Sequence, residues 1–325
     1  MIHFFNHESL PLLKTLIFTV CTAEQYPFAK VLSDSLPKNR TFKVGIVDGK
    51  ASGPDVVALD ELAINGLNQM RERYDNESLV SASKPYFAEF FLSKEGVENV
   101  IYFDPTVQVM GDFDVIIQTL QTAEILLTPR LTGKFGSSIY GDEKLFLNTG
   151  MYDAGFWGIR KTENVFRFLK WWQDRLADRA HFDLCNGMNH DQLWLNYVPI
   201  FFENVAVNKN KGWNVSLQNL HERILTKRGN TWMVNQMEPL LFINFRECLS
   251  DSAAVKKLLE QSGAELLRAD FVEKVKKYTN QLPAIFPLRA AIEPTLPTWK
   301  RQLRKKLQGI IDKINHFPLY HKITK

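Results

Sequence analysis

The feature that most constrains the fold of this chain is a short apolar run at residues 100–103 that ends in Asp104, Pro105 and Thr106. Buried parallel strands read as unbroken apolar runs because both of their faces are covered. In open α/β sheets, ligands bind beyond the carboxyl ends of such strands. An acid at this point can hold a ribose, or a divalent cation that bridges a diphosphate. The run therefore predicts a buried strand with Asp104 at a ligand-binding edge.

Similar apolar runs alternate with helical patterns along most of the chain, and this alternation implies a largely parallel sheet with helices on both faces. A helix is expected to begin at Pro85, since the first helical turn does not need the missing N–H. Residues 131–147, rich in Gly, Ser and Lys, predict a mobile loop. Strands are predicted over 16–20, 42–47, 100–103, 124–127, 155–159, 205–207 and 240–243, and helices over 26–36, 85–92, 112–120, 163–176 and 191–198.

The charge of the chain is unevenly distributed. Residues 266–325 contain 13 Lys and Arg but 4 Asp and Glu, a net charge of +9, whereas residues 1–265 contain 27 and 32, a net charge of −5. Four prolines fall within 281–297, which is predicted to be a linker. We therefore expect a main domain over 1–265 and a basic helical extension over 266–325. A basic tail on a mildly acidic body indicates an acidic surface as partner of the tail alone.

The tail carries a stripe of apolar side chains at three- and four-residue steps. This pattern over 299–317 is typical of a helix that lies on an anionic membrane surface. The alternative is a helix packed on the body with a solvated basic face, and the sequence leaves both open. Nucleic acid is not expected as a partner, because the body lacks interleaved basic and aromatic residues. The stripe consists of Trp299, Leu303, Leu307, Ile310, Ile311 and Ile314.

The cellular compartment is predicted from what the chain contains. The three cysteines, Cys21, Cys185 and Cys248, are far apart and odd in number, which favours reduced thiols. The apolar run at 16–20 is too short for a signal peptide, and no stretch has the length of a transmembrane helix. We expect a cytoplasmic protein that can also associate peripherally with the inner face of the plasma membrane.

Eight short motifs follow one another between residues 83 and 223: SKPYF (83–87), IYFDPT (101–106), LLTP (126–129), GMYDAGF (150–156), WW (171–172), DQLW (191–194), WNV (213–215) and HER (221–223). In this order the chain resembles the bacterial GT-A glycosyltransferases, the nucleotide-diphospho-sugar transferases of cell-surface polysaccharide clusters. The likeness covers residues 16–245. It implies a GT-A α/β fold, with a mixed sheet flanked by helices and the helical extension at its end.

The resemblance also implies an activity: transfer of a sugar from a UDP- or GDP-type donor to a saccharide or lipid-linked acceptor, in cell-envelope polysaccharide or lipopolysaccharide synthesis. Asp104 matches the first acid of the family's DxD motif, which faces the ribose and a metal-bound diphosphate. Thr106 stands in place of the second acid, and Asn244 in place of a histidine ligand. Neither side chain is a charged ligand for a hard cation. As a metal ligand, Asp104 lacks its usual partners, so we expect no required cofactor or only weakly bound Mn²⁺ or Mg²⁺.

The candidate site residues come mostly from the matching segments. Asp191 is the candidate catalytic base and Asp153 its rival, because a carboxylate can accept the proton of an acceptor hydroxyl. Asp191 has an alternative role as a helix N-cap, and Asp48 and Asp104 have alternative roles in turns. An alternative function is that of a catalytically inactive GT-A-like binding protein. The candidate donor-binding residues are Thr22, Asp48, Lys84, Asp104, Thr106, Trp213, Asn214 and Arg223.

Overall fold

The computed structural model describes residues 14–51, 53–134 and 143–279, with six further residues between 299 and 310. Its strands are β1 (Thr15–Cys21), β2 (Thr41–Ile46), β3 (Val56–Ala58), β4 (Asn99–Phe103), β5 (Val107–Val109), β6 (Ile125–Pro129), β7 (Tyr152–Arg160), β8 (Phe182–Asp183), β9 (Met188–Asn189), β10 (Val205–Val207), β11 (Val215–Ser216), β12 (Leu225–Arg228), β13 (Thr231–Val234), β14 (Glu238–Pro239) and β15 (Phe242–Asn244). Its α-helices are α1 (Tyr26–Ser35), α2 (Leu67–Arg73), α3 (Asn76–Leu92), α4 (Asp114–Thr122), α5 (Glu143–Thr149), α6 (Glu163–Leu176), α7 (Val198–Phe201), α8 (Ala253–Ser262) and α9 (Glu265–Thr279). Short 3₁₀ helices lie at Leu59–Glu61, Leu184–Asn186, Leu193–Tyr197, Leu217–Glu222 and Glu247–Leu249.

Seven of these strands form the central sheet, in the order β10-β6-β7-β4-β1-β2-β3. Strand β7 is antiparallel to both β4 and β6, whereas the other neighbouring pairs of this sheet are parallel. The predicted α/β class with a mixed, largely parallel sheet is therefore confirmed. Because β7 runs in the opposite direction, its first residues lie at the edge where β4 and β6 end.

The sheet is covered on both faces because its strands alternate their side chains. On β4, Tyr102 points to one face while Ile101 and Phe103 point to the other. Helices α3 and α6 pack together on the first face, and α4 covers the second. The apolar runs are thus doubly buried strands, as the sequence indicated.

Helix α3 is longer than predicted and contains Pro85 in its interior. It begins at Asn76, where the carboxylate of Asp75 accepts a hydrogen bond of 2.7 Å from the backbone N–H of Ser78. The expected start at Pro85 is wrong because the cap, Asp75, lies ten residues before the proline. The proline leaves the carbonyl of Ser81 without its helical donor. Burial of most of the helix against the sheet and α6 offsets that loss.

Two other predictions are corrected in part. Within the expected loop 131–147, residues 143–147 belong to α5, where Phe146 is buried, while 135–142 lie outside the described residues. The helix expected over 191–198 is a 3₁₀ helix at Leu193–Tyr197 followed by α7. A 3₁₀ helix has three residues per turn, so the apolar spacing typical of an α-helix does not distinguish it reliably.

A small second sheet, β11-β15-β5, lies next to the end of β4. Strand β15 is antiparallel to β5 and parallel to β11, and this register places Asn244 opposite Val107 and beside Ser216. The last strand of the body, predicted at 240–243, is found at Phe242–Asn244. The small sheet holds the segment after β4 against the end of β15.

The chain divides into two compact units. The first compact unit extends to Leu288, and the second comprises Arg289–Lys325. Helix α9 belongs to the first unit, because Phe271 is buried and stacks on Phe245 with ring centroids 4.4 Å apart. Four of the 13 basic residues in 266–325 lie in α9, and the other nine lie at 289 or later.

The second unit is described at six positions. Trp299, Leu303, Leu307 and Ile310 are helical there, and their side chains are between 48% and 62% exposed. The linker expected at 281–297, and the rest of the stripe, lie outside the described residues. Among the described residues, no helix combines the length and the apolar character that a bilayer span needs.

Leu267→Ala tests whether α9 belongs to the body. Leu267 is 3% exposed, so its truncation should lower the free energy of unfolding by about 2–5 kcal/mol. The matched control is Leu266→Ala at the neighbouring position, which is 73% exposed and should change stability by less than about 0.5 kcal/mol. Urea unfolding followed by circular dichroism measures both. Equal effects of the two variants would contradict the packing of α9.

Candidate active site at the sheet edge

A cavity of about 440 Å³ opens where β4 ends and β7 begins, and we call it the edge cavity. Cavities of this size hold small molecules. Four residues proposed from sequence line it, namely Lys84, Asp104, Asp153 and Asp191. They come from α3, the end of β4, the start of β7 and the segment before the 3₁₀ helix at Leu193–Tyr197.

The ammonium group of Lys84 joins two of these carboxylates. Its Nζ lies 2.8 Å from Asp191 Oδ2 and 3.6 Å from Asp104 Oδ1, and it donates to the carbonyl of Ala154 at 3.1 Å. The side chain of Lys84 is 3% exposed. An ammonium group has three N–H donors. Three acceptors therefore surround Lys84, which leaves it little capacity for a ligand.

Asp104 lies at the centre of the charged groups. Its Oδ1 accepts a hydrogen bond of 2.8 Å from the Tyr102 hydroxyl, which the period of the strand places on the same face. Its Oδ2 accepts one of 3.4 Å from Asn244 Nδ2 and lies 3.8 Å from the guanidinium of Arg246. Burial by itself would raise the pKa of this carboxyl group. The two nearby cations and the two hydrogen bonds outweigh burial, so the pKa of Asp104 is lowered and the carboxylate stays charged.

The capping role that was an alternative for Asp191 does not match the structure. The residue before the 3₁₀ helix is Gln192, and it makes no side-chain cap. The carboxylate of Asp191 lies on Lys84 instead, and its carbonyl accepts a hydrogen bond of 3.3 Å from Trp172 Nε1. Asp191 is thus held as a buried carboxylate at the wall of the edge cavity.

Asp153 is fixed by a glycine and an asparagine. Its Oδ1 accepts the N–H of Gly155 at 2.6 Å, and its Oδ2 accepts Asn214 Nδ2 at 2.9 Å. A Cβ atom at Gly155 would lie 2.8 Å from an oxygen of Asp104 and of Asp153, and 2.9 Å from Asn244 Nδ2. Only glycine therefore allows these three side chains to converge at the start of β7.

Asn214 holds Asp153 in place and is itself shielded from solvent. It is fully buried and adopts a left-handed backbone with φ of 52°, which asparagine tolerates better than most residues. The structure therefore gives Asn214 the role of orienting Asp153, whereas the sequence suggested direct contact with the donor.

Thr106 uses its hydroxyl within the protein. Its Oγ1 donates to Asn244 Oδ1 at 2.8 Å, and the same amide oxygen accepts the backbone N–H of Arg246 at 3.0 Å. Thr106 lines a smaller cavity of about 30 Å³ next to the edge cavity. The two residues that replace the expected charged ligands are thus bonded to each other.

Thr22 and Asp48 lie after β1 and β2 at the same edge of the sheet, but neither is among the residues that line the edge cavity. Thr22 and Gln25 form a turn with reciprocal backbone to side-chain hydrogen bonds. Asp48 accepts the N–H of Ala23 at 2.7 Å and a longer hydrogen bond of 3.4 Å from Asn76. Thr22 thus belongs to a local turn, whereas Asp48 joins the end of β2 to the residues after β1, which matches the turn role that the sequence left open for it.

Trp213 and Arg223 are buried beneath the site. Trp213 packs against Phe156 and Phe242 with ring centroids 6.1 and 6.3 Å apart. Arg223 donates to the carbonyls of Trp213 and Asn214 at 2.7 and 3.1 Å, and burial lowers its pKa to about 10. Both were candidate donor-binding residues, and the structure places neither side chain among the residues that line the edge cavity.

Several residues of the edge cavity were missed from sequence. Arg246 and Glu77 form an ion pair at its rim, and Arg130 donates to Thr149 Oγ1 at 2.6 Å and to the carbonyl of Gly150 at 3.0 Å. Arg246 follows Asn244 by two residues, a spacing that puts both on one side of an extended chain. That spacing was the signal available in the sequence, and it indicates a place in the cavity only once the position of β15 is known.

The surroundings of Asp104 do not fit a divalent cation. Both of its oxygens are already bonded, and Lys84 and Arg246 place two positive charges within 3.8 Å. Hard cations prefer several oxygen ligands, with carboxylates among them. In the part of the chain that the structure describes, no cluster of three or more His, Cys, Asp or Glu side chains could hold a metal ion.

Comparison with known sequences gives a distant relative. The chain is 22% identical over 233 residues to the uncharacterized protein YfnF of Bacillus subtilis strain 168, covering 70% of this chain and 74% of YfnF. No family model matches the chain.

Comparison with solved structures gives glycosyltransferases, the class that the motifs of this sequence resemble. A glycosyltransferase involved in glycosylation of the major capsid of PBCV-1 is 10% identical, with 75% of this chain and 98% of that chain covered and a TM-score of 0.44. The galactosyltransferase LgtC, solved with donor and acceptor sugar analogs, is 14% identical, with coverage of 78% and 99% and a TM-score of 0.45. GlyE of Streptococcus pneumoniae TIGR4 is 12% identical, with coverage of 85% and 65% and a TM-score of 0.45.

Asp104→Asn tests the electrostatics of the site. Removing one partner of a buried ion pair should lower the free energy of unfolding at pH 7 by about 3 kcal/mol. Because the pKa of Asp104 is lowered in the folded state, its stabilisation is complete above the unfolded pKa of about 3.9 and is lost as the pH falls below it. The deficit of the variant should therefore be constant from pH 7 to 5 and shrink near pH 3.5.

Urea unfolding of wild type and variant at these three pH values measures the difference. Asp55→Asn is the control, because Asp55 pairs with Lys43 at the surface and is 70% exposed. A deficit that grows on acidification would contradict the lowered pKa.

Proposed function

We propose that this protein is a GT-A glycosyltransferase that moves a sugar from a nucleotide-diphosphate donor to a saccharide or lipid-linked acceptor. One observation carries the proposal. Four of the eight motifs, far apart in sequence, each contribute one charged residue to the edge cavity, namely Lys84, Asp104, Asp153 and Asp191. A cavity at the carboxyl edge of an α/β sheet is where such folds bind ligands.

The donor is proposed to lie with its ribose end near Asp104, at the end of β4. A carboxylate kept charged by Tyr102, Asn244 and its cationic neighbours is a strong acceptor for sugar hydroxyl groups. Lys84 fixes the distance between this carboxylate and Asp191, since one ammonium lies within 3.6 Å of both. The donor and acceptor sides of the reaction are thus positioned by the same buried cation.

The chemical step needs one proton acceptor. As the acceptor oxygen attacks the anomeric carbon, its O–H proton passes to the carboxylate of Asp191, and the bond from that carbon to the diphosphate breaks. The electron pair of that bond leaves with the diphosphate, whose charge must be stabilised by positive groups. Asp153 lines the same cavity, so it remains the second candidate for the base.

We also propose that the reaction needs no tightly bound divalent cation. The two positions that would complete a metal site hold Thr106 and Asn244, which bond to each other, and cations already surround Asp104. An arginine side chain is then the group available to stabilise the leaving diphosphate.

The cellular setting proposed is cell-envelope polysaccharide synthesis at the inner face of the plasma membrane. The four described apolar residues of the stripe, Trp299, Leu303, Leu307 and Ile310, are about half exposed in helical conformation. Basic residues alternate with this stripe in the sequence. Such a helix binds anionic lipid through apolar burial and charge together, which would bring the protein to a membrane that carries a lipid-linked acceptor.

A panel of UDP- and GDP-sugars tests the proposed function. We expect one donor to raise the melting temperature of the protein, because a ligand that binds only the folded state stabilises it. The same donor should release its nucleoside diphosphate slowly in the absence of acceptor. Asp191→Asn should reduce this release by about 10² to 10⁴-fold without a loss of donor binding.

Asp153→Asn is the matched control for the choice of base. A loss of turnover in this variant, with Asp191→Asn active, would transfer the role to Asp153. Donor binding without release of nucleoside diphosphate by wild-type protein would favour the alternative of a non-catalytic binding protein. Absence of any binding would refute the proposed function.

Deletion of residues 299–325 tests the membrane proposal. The full chain should co-sediment with vesicles that contain phosphatidylglycerol and should be released by about 0.5 M salt, since screening weakens binding to an anionic surface. The truncated chain should remain in the supernatant. Vesicles of phosphatidylcholine alone serve as the uncharged control. Equal sedimentation of the two chains would refute the membrane role of the tail.

A further inference from the structure

We propose that the guanidinium of Arg246 takes the place of a divalent cation beside Asp104 and binds the diphosphate of the donor. The inference rests on the proposed function and names the residue that performs the charge stabilisation. Arg246 lies two residues after Asn244 at the end of β15 and lines both the edge cavity and the smaller cavity beside it.

The geometry places Arg246 beside Asp104, the carboxylate that matches a metal ligand in the resemblance. Its NH1 atom is 3.8 Å from Asp104 Oδ2, on the side of that carboxylate that Asn244 also contacts. A divalent cation at this point would meet the guanidinium and the ammonium of Lys84 as like charges. A diphosphate would meet them as opposite charges.

The residues that replace the usual metal ligands help to hold this arginine. The Oδ1 atom of Asn244 accepts both the Thr106 hydroxyl at 2.8 Å and the backbone N–H of Arg246 at 3.0 Å. A histidine or an aspartate in place of this amide and hydroxyl could not form the same pair of bonds. The two substitutions are therefore parts of an arginine site, in addition to being losses from a metal site.

Arg246 is more available to a ligand than the other cations of the cavity. Lys84 is 3% exposed and has three acceptors around it, and Arg130 is buried against Thr149 and Gly150. The side chain of Arg246 is 48% exposed. Its five N–H donors form a fork that matches phosphate oxygens, and its contacts with Asp104 and Glu77 use part of that capacity.

Glu77 is the group that a phosphate would displace. It lies in the first turn of α3 and accepts a hydrogen bond from Arg246 NH2. Its side chain is 58% exposed, and ion pairs of this kind contribute little to stability. The guanidinium is therefore aimed into the cavity by a partner that can be exchanged at low cost.

Isothermal titration calorimetry of UDP and GDP, with uridine and guanosine as phosphate-free probes, tests the proposal. In Arg246→Gln, the affinity for the nucleoside diphosphate that wild type binds should fall by about 10- to 100-fold, because charge-assisted hydrogen bonds to phosphate are lost. The affinity of Arg246→Gln for the nucleoside should differ from that of wild type by less than threefold. The diphosphate affinity of Arg246→Lys should lie between those of wild type and Arg246→Gln. EDTA should leave the binding of wild type unchanged.

Arg71→Gln is the matched control, since Arg71 forms a bidentate ion pair with Asp60 away from the cavity and should not affect nucleotide affinity. Melting temperatures without ligand verify that every variant is folded. Equal diphosphate affinity of wild type and Arg246→Gln would overturn the inference and leave the proposed function standing. Loss of wild-type binding in EDTA would overturn the inference together with the proposed metal independence, and would leave the proposed sugar transfer standing. Absence of binding of any nucleotide or nucleotide sugar to wild type would overturn both.

Discussion

The candidate site depends on one buried ammonium group. Lys84 on α3 lies between the carboxylates of Asp104 and Asp191 and also donates to the carbonyl of Ala154. Three separate parts of the chain are fixed relative to one another by this contact. A buried charge is tolerated only when it is paired, so each partner requires the others. The lysine therefore acts as the internal support of the cavity, and the ligand-facing positive charge has to come from another residue.

The direction of one strand brings the remaining parts together. Because β7 is antiparallel, its first residues meet the end of β4, and the N–H of Asp104 bonds to the carbonyl of Gly155 at 2.8 Å. The missing side chain of Gly155 lets Asp104, Asp153 and Asn244 approach within contact distance. In a fully parallel sheet, Asp153 would lie at the opposite edge. The mixed topology thus has a direct chemical consequence, since it adds a carboxylate to the edge at which a ligand binds.

The structure gives a role to the two residues that replace expected metal ligands. Thr106 and Asn244 bond to each other, and the same amide oxygen holds the backbone of Arg246. The neutral side chains therefore form a support for a cation that is part of the protein. A guanidinium carries its charge at every physiological pH, so such a site would not depend on the supply of a metal.

The sequence by itself determined the alternation of strands and helices, the position of Asp104 at a strand end, and the segments that supply Lys84, Asp153 and Asp191. These follow from apolar runs and local motifs, which are properties of neighbouring residues. The tertiary structure alone decided the antiparallel direction of β7, the start of α3 ahead of its internal proline and the place of α9 in the body. It also decided the inward role of Arg223 and the arrival of Arg246 beside Asp104. Arg246 and Asp104 are separated by more than 140 residues. Their contact depends on strand pairing and burial, which no local sequence pattern predicts.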